Sequence, residues 1–219
     1  MAAFLTLIAS STMAQDTRFA QTYTWLTEAK GQHEIELKLT RADRNTWVSE
    51  NEFETGITDR FTLAPYLNFE FAKDSPTLGG WALEMRYRFG DLKARTILPA
   101  IYLEPQQMAG DRAMTMEGRL IGSYYPSTSF DVLLSGNLVF TRLMERGEAV
   151  NHGYAAGAVK MNPKNWYGLE AYGSWTDKEH FVGPTYGMKL TSSSALIVHF
   201  GVSLNKQDNQ LKAIYASDF

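Results

Sequence analysis

The sequence predicts an all-β fold, a transmembrane antiparallel up-and-down β-barrel of about 12 strands. Short segments of the 219-residue chain alternate an apolar residue with a polar or very small one, and turn residues separate them. In 81–89 every odd position is apolar, whereas Glu84, Arg86 and Arg88 occupy even positions. Successive side chains of a strand point to opposite faces, so this segment has one apolar and one charged face. An N-terminal export signal and a terminal Phe219 complete the pattern of an outer-membrane barrel.

The composition excludes several other classes of protein. The formal net charge is −3 and no run of Lys and Arg occurs, which argues against a nucleic-acid partner. Beyond the N-terminus no apolar stretch reaches the ~18 residues that a membrane-spanning helix needs. The chain has no cysteine, which excludes disulfides and thiolate metal sites and suits an oxidising periplasm. We expect neither a cofactor nor a metal.

The chain divides into three parts. Residues 1–14 resemble a signal peptide, because an apolar run ends in the small-x-small pattern Thr12-Met13-Ala14, although no basic residue precedes the run. A buried N-terminal strand or helix is the alternative for these residues. Residues 15–31 form an N-terminal segment, in which 19–28 is either an extra strand or an inward-folded arm. Residues 32–219 form the barrel.

The alternating segments give the order of the strands. We place them at 32–41, 46–57, 61–72, 80–90, 96–104, 112–124, 130–141, 153–161, 166–176, 181–191, 194–205 and 210–219. Connections after even-numbered strands are short. Those after odd-numbered strands are mostly longer, namely 73–79, 105–111, 142–152 and 177–180. With both termini in the periplasm, the short turns lie there and the longer loops face outward.

Aromatic residues cluster at the ends of these segments. One set, at the predicted periplasmic ends, is Phe61, Phe89, Tyr124, Phe130 and Tyr167. The other set, at the outer ends, is Trp47, Phe71, Trp81, Phe140, Trp175 and Phe181. Two rows of amphipathic rings bracket the apolar band of a membrane barrel. A soluble exported barrel or sandwich, such as a lipocalin-like binder, is the alternative, since it would turn the apolar face inward.

The segment 52–60, Glu-Phe-Glu-Thr-Gly-Ile-Thr-Asp-Arg, carries a family resemblance. It resembles a group of uncharacterised proteobacterial outer-membrane β-barrel proteins in which an acidic-aromatic-acidic strand runs into Gly-Ile/Leu-Thr-Asp-Arg. The resemblance covers about 20–71 and implies the architecture without an activity. The terminal strand ending in Phe219 resembles the signal that the outer-membrane assembly machinery reads. Both resemblances imply the outer membrane of a Gram-negative bacterium, with its lipid and lipopolysaccharide as surroundings.

The inward face carries the functional prediction. The lumen-lining candidates are Glu50, Glu52, Glu54, Glu84, Arg86, Arg88, Glu117, Arg119 and Glu170. The other charges assigned to this face are Glu34, Glu36, Glu70, Glu104, Asp131, Asp218, Lys38, Lys160, Lys189 and Lys212. Twelve acidic against seven basic side chains leave an excess of about five negative charges. Eight-stranded barrels are filled by side chains and those of sixteen or more hold water, so twelve strands leave an open and a plugged lumen both possible.

The favoured function is a passive, porin-like narrow channel for small polar or cationic solutes, because rings of carboxylates attract cations. The alternative is a non-conducting envelope or surface-binding barrel that acts through 142–152 and 177–180.

A minor alternative is an outer-membrane hydrolase with a histidine and carboxylate site at the rim. Its candidates are His152 with Glu145 and Glu148, and His180 with Asp177 and Glu179. Charged, histidine-containing loops are ordinary at a solvated surface, and no fixed metal-ligand spacing occurs. We therefore expect no enzyme.

Overall fold

The computed structural model describes residues 18–41, 44–72, 75–110, 113–144, 150–205 and 208–219. The predicted signal peptide, residues 1–14, lies outside the described residues. The strands are β1 (His33–Arg41), β2 (Thr46–Thr58), β3 (Phe61–Ala72), β4 (Ser75–Arg88), β5 (Ile97–Met108), β6 (Thr115–Tyr124), β7 (Val132–Leu143), β8 (Asn151–Met161), β9 (Asn165–Ser174), β10 (Glu179–Lys189), β11 (Ser194–Ser203) and β12 (Gln210–Asp218). In this part of the chain we find no helix of the length and apolarity that a membrane span requires.

These strands form one closed antiparallel barrel, which confirms the predicted fold class. Each strand pairs with the next along the chain, and β1 closes against β12, where Glu34 lies opposite Asp218 and Leu37 opposite Tyr215. Closure leaves no free sheet edge, so the backbone groups of the wall are paired within the wall. We call the end at which β1 begins and β12 ends the terminal rim, and the other end the opposite rim.

The wall of the barrel is apolar outside and charged inside. Outward-facing Leu67, Leu120 and Leu169 are about half exposed, at 49%, 53% and 60%. Inward-facing Glu34 and Glu84 are fully buried. A soluble protein shows the reverse arrangement, with apolar side chains inside and charges outside. The outer surface is therefore suited to hydrocarbon and not to water.

The predicted loop 73–79 is mostly strand. The segment 73–79 contains Pro76 and Gly79, which favour turns, and the sequence therefore predicts a long loop there. In the structure β4 begins at Ser75, so that only 73–74 separate it from β3. The β3–β4 ladder accommodates these residues through a register shift between Asn68 and Phe69.

The predicted sorting of connections by length is wrong. Connections at the terminal rim range from 59–60 to 89–96, and those at the opposite rim range from 73–74 to 144–150. The two ranges are similar because several strands continue beyond their predicted ends at the opposite rim. Loop length therefore gives no orientation for this barrel.

Three side chains differ from their predicted places. Lys160 is exposed on the outer side of β8 and does not line the lumen. Asp131 lies in the turn before β7, where it accepts a hydrogen bond from the Ser129 hydroxyl. Phe181, assigned to the outer aromatic row, is buried inside, and its ring stacks on Tyr172 with centroids 5.2 Å apart. The first two changes remove one basic and one acidic side chain from the lumen, so its predicted excess of negative charge stays the same.

Glycine allows the close approach of β10 and β11. Gly183 lies beside Pro184, where the ladder between these strands is interrupted, and a Cβ at Gly183 would collide with the carbonyl oxygen of Phe200. We expect Gly183→Ala to destabilise the barrel by about 1–3 kcal/mol through overpacking. The measurement is the temperature at which heat-modifiable gel migration is lost. Gly136→Ala is the matched control, because nothing lies within 4 Å of a Cβ there. Equal midpoints for the two variants would contradict the prediction.

Candidate functional site in the lumen

The interior of the barrel holds the N-terminal arm, residues 18–32, which forms no strand. Of the two forms that the sequence leaves open for 19–28, the structure shows the inward-folded arm. Phe19 and Trp25 are buried in the same core cluster as side chains of the inner wall. The arm thus occupies the lumen toward the terminal rim.

Glu170 of β9 holds the first part of the arm. Its carboxylate accepts hydrogen bonds from the backbone N–H groups of Ala20, Gln21 and Thr22, at 2.8, 2.8 and 2.9 Å. The Thr185 hydroxyl donates a further hydrogen bond to it at 2.6 Å. Hydrogen bonds to an ionised carboxylate are stronger than those between neutral groups. Backbone amides therefore supply much of the stabilisation that a basic side chain would give to this buried carboxylate.

His199 of β11 packs behind the same carboxylate. The ring is fully buried, and its Nδ1 lies 3.4 Å from the Thr185 hydroxyl and 3.6 Å from Glu170 Oε1. Glu170 binds the arm, and the buried Thr185 and His199 pack against its carboxylate. These three side chains therefore act together in positioning the arm.

Polar side chains of β6 and β7 hold the middle of the arm. The Asn137 side chain accepts a hydrogen bond from the Tyr23 N–H at 2.8 Å and donates one to the Tyr23 carbonyl at 2.9 Å. The Ser135 hydroxyl donates to the same carbonyl at 2.8 Å. The Ser123 hydroxyl accepts from the Trp25 N–H at 2.8 Å. Side chains of the wall thereby satisfy backbone groups that would otherwise need a strand partner.

Aromatic rings of the arm close the terminal half of the lumen. The Arg88 guanidinium lies over the Trp25 ring, 4.5 Å from its centroid, and the Trp25 Nε1–H donates to the Phe89 carbonyl at 3.1 Å. The Phe19 ring lies against Gly157 of β8, where any Cβ would collide with it. The arm and the wall are thus complementary in shape as well as in hydrogen bonding.

Tyr23 lies at the centre of the lumen among basic side chains. The charged groups of Arg119, Arg86 and Lys38 lie 4.4, 5.5 and 5.9 Å from its ring centroid. Its hydroxyl donates to Glu84 at 3.1 Å. A ring that faces several cations gains cation–π stabilisation, most of all where water is excluded. The arm is therefore part of the electrostatic balance of the lumen.

The charged side chains of the inner wall form pairs with each other. The pairs are Lys38 with Glu36 (2.9 Å) and with Glu52, Arg86 with Glu54 (2.8 Å) and with Glu84 (3.2 Å), Arg119 with Glu117 (2.6 Å), and Lys212 with Glu50 (3.3 Å). Lys38 and Arg86 each serve two carboxylates. This sharing leaves the cluster of β1, β2 and β4 with more acidic than basic groups.

A cavity of about 180 Å³ remains between the arm and the wall. Its charged lining consists of the carboxylates Glu36, Glu50, Glu54, Glu104 and Glu117 and the basic side chains Arg18, Lys38, Arg86, Arg119 and Lys212. A second space, of about 330 Å³, lies against β7, β8 and β9 toward the opposite rim. Gln21 and Arg119 line both spaces. Each space has room for several water molecules.

All nine lumen candidates from the sequence face the interior, in four places. Glu52, Glu54, Glu84 and Arg86 are buried in one cluster, Glu50, Glu117 and Arg119 line the cavity, Arg88 covers Trp25, and Glu170 binds the arm. The sequence analysis missed the residues that hold the arm, such as Ser123, Ser135 and Asn137. Their polar side chains at inward positions were the available signal.

The histidines proposed for a hydrolase site do not form one with the described residues. His152 is exposed on β8. The His180 ring stacks on Tyr154, with its Nδ1 3.3 Å from the tyrosine hydroxyl. Neither histidine has a carboxylate partner in the part of the chain that the structure describes, and Glu145 and Glu148 lie outside it.

Comparison with known proteins identifies the fold of this chain and no family. No protein-family model and no curated protein matches the sequence. The structure is similar to the KdgM porin, with a TM-score of 0.62 at 11% identity over 85% of this chain and 99% of that chain. It is similar to an outer-membrane channel from Pseudomonas putida F1, with a TM-score of 0.62 at 12% identity over 89% and 98%. It is also similar to Omp33 of Acinetobacter baumannii, with a TM-score of 0.57 at 10% identity over 87% and 99%.

The chain therefore has the fold of bacterial outer-membrane porins and channels. Its exposed apolar wall is the surface that a barrel in the outer membrane requires.

The hold of Glu170 on the arm can be tested by proteolysis. We expect Glu170→Ala to expose the bond after Arg18 to trypsin and to raise the cleavage rate at least about tenfold. Hydrogen bonds to charged groups contribute about 1.5–3 kcal/mol each, and about 1.4 kcal/mol already corresponds to a factor of ten. N-terminal sequencing of a product that begins at Phe19 is the measurement. Glu104→Ala is the control, because that carboxylate accepts from Tyr102 of the wall. Unchanged cleavage in Glu170→Ala would show that the arm is held elsewhere.

Proposed function

We propose that this protein is an outer-membrane channel for small polar or cationic solutes, with a conduction path that runs past the N-terminal arm. The observation that carries this proposal is the charged cavity between the arm and the wall. The cavity is lined by both carboxylates and basic side chains, and such a lining suits hydrated solutes and not apolar ones. The structural neighbours are porins and channels and not enzymes, which favours passage over catalysis.

The size of the free space sets the size of the solute. The two spaces, of about 180 and 330 Å³, both border Gln21 and Arg119, and in this proposal solutes pass from one space to the other at these side chains. Toward the terminal rim the arm fills the cross-section of the lumen. The arm is held by side-chain hydrogen bonds and has no strand ladder, so local displacement does not require the wall to open. In this proposal the arm is the gate.

The charge preference is weaker than the sequence predicts. The sequence gives an excess of about five negative charges, and this excess stays the same when Lys160 and Asp131, one charge of each sign, are taken out of the lumen. The cavity itself carries equal numbers of carboxylates and basic side chains, and the acidic excess lies deeper, around Glu52 and Glu84. We therefore infer a modest preference for cations.

A non-conducting barrel is the second candidate, and the seated arm favours it. Three hydrogen bonds at Glu170 and the burial of Trp25 give the arm the character of a permanent plug. Such a barrel would act through its surface, with 142–152 and 177–180 as binding loops. Of these loops, 145–149 lie outside the described residues.

Recording in planar bilayers separates the two candidates. We expect folded wild-type protein to give discrete conductance steps, and Glu170→Ala to give larger steps because the arm leaves the path more often. The exposed Asp91→Asn, in a turn of the terminal rim, is the control and should match the wild type. A folded wild type that stays silent while Glu170→Ala conducts would overturn the channel and leave the plugged barrel.

A single charge pair tests the selectivity. Glu50 and Lys212 contact each other at 3.3 Å and are partly accessible, with 30% and 12% of their side chains exposed. We expect Glu50→Gln to shift the reversal potential in a salt gradient toward anions, and Lys212→Gln to shift it toward cations. The two shifts should have opposite signs and similar sizes, since each removes one charge from the same place. Shifts of the same sign, or none, would show that the pair does not line the path.

A further inference from the structure

A groove of about 500 Å³ lies in the outer wall of the barrel, across β6, β7 and β8. Its floor includes Gly122, Gly136 and Ala156, which lie opposite one another in neighbouring strands. A Cβ at Gly136 would have nothing within 4 Å, so the floor is open toward the membrane. An unfilled depression in an apolar surface loses dispersion contacts, so hydrocarbon from outside the protein is needed to fill it.

Aromatic rings bound this groove on the side of the opposite rim. Tyr154 and Trp175 both line it, and their rings stack with centroids 5.2 Å apart. The Tyr154 ring also stacks on His180, with centroids 5.8 Å apart. Trp175 is 52% exposed, so much of its ring is available to a ligand. We call Tyr154, Trp175 and His180 the aromatic group. Such rings combine an apolar face with a polar edge, which suits the boundary between hydrocarbon and headgroups.

Basic side chains lie beside the aromatic group at the opposite rim. Arg142 of β7, His152 of β8 and Lys178 of the turn before β10 are all exposed. The His152 ring packs edge-on against Phe140, with centroids 5.7 Å apart. Asp177 of the same turn accepts a hydrogen bond from the Ser174 hydroxyl at 2.7 Å and lines the space inside the barrel. Guanidinium, ammonium and imidazole groups on one outer surface are complementary to phosphate.

The distance between the basic side chains and the groove agrees with the dimensions of one lipid leaflet. Gly136 and Arg142 are six positions apart on β7. At about 3.4 Å per residue these positions span about 20 Å of strand. A strand tilt of about 40° reduces this length to a depth of about 15 Å, which is half of the hydrocarbon core. A lipid with its headgroup at Arg142 therefore brings the ends of its acyl chains to the level of Gly136.

We propose that this face of the barrel binds a phosphorylated glycolipid, which has the chemistry of the lipid A part of lipopolysaccharide. An acyl chain lies in the groove, and the sugar rings lie on Tyr154 and Trp175. The phosphates are bound by Arg142, His152 and Lys178. A glycerol phospholipid has a phosphate but no sugar ring to place on the aromatic group.

The charge of this face disfavours a second copy of the chain as the occupant. In a symmetric dimer through the groove, the same basic side chains of the two copies would face each other. The glycolipid lies in the outer leaflet, so the proposal places the opposite rim at the outer face of the membrane, as the sequence analysis expects from termini in the periplasm. The site does not depend on whether the barrel conducts.

The test uses the full chain, refolded from urea into detergent without lipopolysaccharide. The probes are diphosphoryl lipid A, monophosphoryl lipid A and phosphatidylglycerol, and native mass spectrometry counts the lipid molecules that are bound. Diphosphoryl lipid A should bind saturably. Monophosphoryl lipid A should bind about fivefold more weakly, because one phosphate is gone. Phosphatidylglycerol should bind at least about tenfold more weakly, because it lacks the sugar rings and the second phosphate.

Variants separate the groove from the headgroup site. Gly136→Phe places a ring in the groove and should weaken the binding of lipid A at least about tenfold, because the acyl chain loses its apolar contacts. Ala156→Phe should do the same, and it replaces Gly136→Phe if that variant does not fold. Val202→Phe is the control, because Val202 is exposed on β11, away from the groove.

Arg142→Gln tests the phosphate contact and should weaken lipid A binding about fivefold. It should leave the binding of an uncharged detergent unchanged. Arg44→Gln is its matched control. Arg44 is exposed at the same rim, between β1 and β2 on the other side of the ring, where it pairs with Asp208 at 3.3 Å.

Three outcomes would overturn the site. The first is a wild type that binds the three lipids equally well. The second is undiminished binding of lipid A by Gly136→Phe and Ala156→Phe. The third is a wild type that associates in detergent and becomes monomeric in Gly136→Phe with its lipid binding intact, which would make the groove an interface between copies of this chain.

Discussion

Every polar group inside this barrel must find its partner inside the barrel, because the outer wall offers only apolar contacts. The requirement explains why Lys38 and Arg86 are each shared between two carboxylates, and why Tyr23 is placed among three basic groups. It also places the fully buried Glu34 directly beside Asp218 at the closing seam. In a closed wall such a side chain cannot turn to solvent for relief.

The arm answers a geometric problem of medium-sized barrels. Eight strands can fill their interior with wall side chains, and sixteen enclose water, whereas twelve enclose a space too wide for the first solution. Here an irregular segment occupies that space, and small residues such as Gly157 make room for its aromatic rings. Because the arm has no ladder, its backbone depends on inward side chains, and Glu170 and Asn137 contribute five of its hydrogen bonds. The wall thus works as a binding site for its own N-terminus.

Alternation in the sequence was enough to predict the strands, their closure and the inward place of the nine lumen candidates, because a period of two is a local property. It failed where the pattern is weak. Between Gly153 and Ala158 both faces of β8 carry mostly small residues, so nothing local fixed the side on which Lys160 lies. The binding of the arm was beyond reach for another reason. Glu170 and Ala20 are 150 positions apart, and no sequence motif around either residue indicates that they are in contact.

The closing of the ring by β1 and β12 has a consequence for assembly. The arm precedes β1 and contacts strands over more than half of the circumference, from β3 to β9. A ring that closed first would have to admit the whole arm, with Phe19 and Trp25, through one rim, which is a larger movement than the local displacement of an arm already in place. The order that avoids this is a curled, unclosed sheet that gathers around the arm while β12 is still absent. The nine residues of β12 then close the ring against β1, so the N-terminal arm is enclosed only when the C-terminal strand pairs.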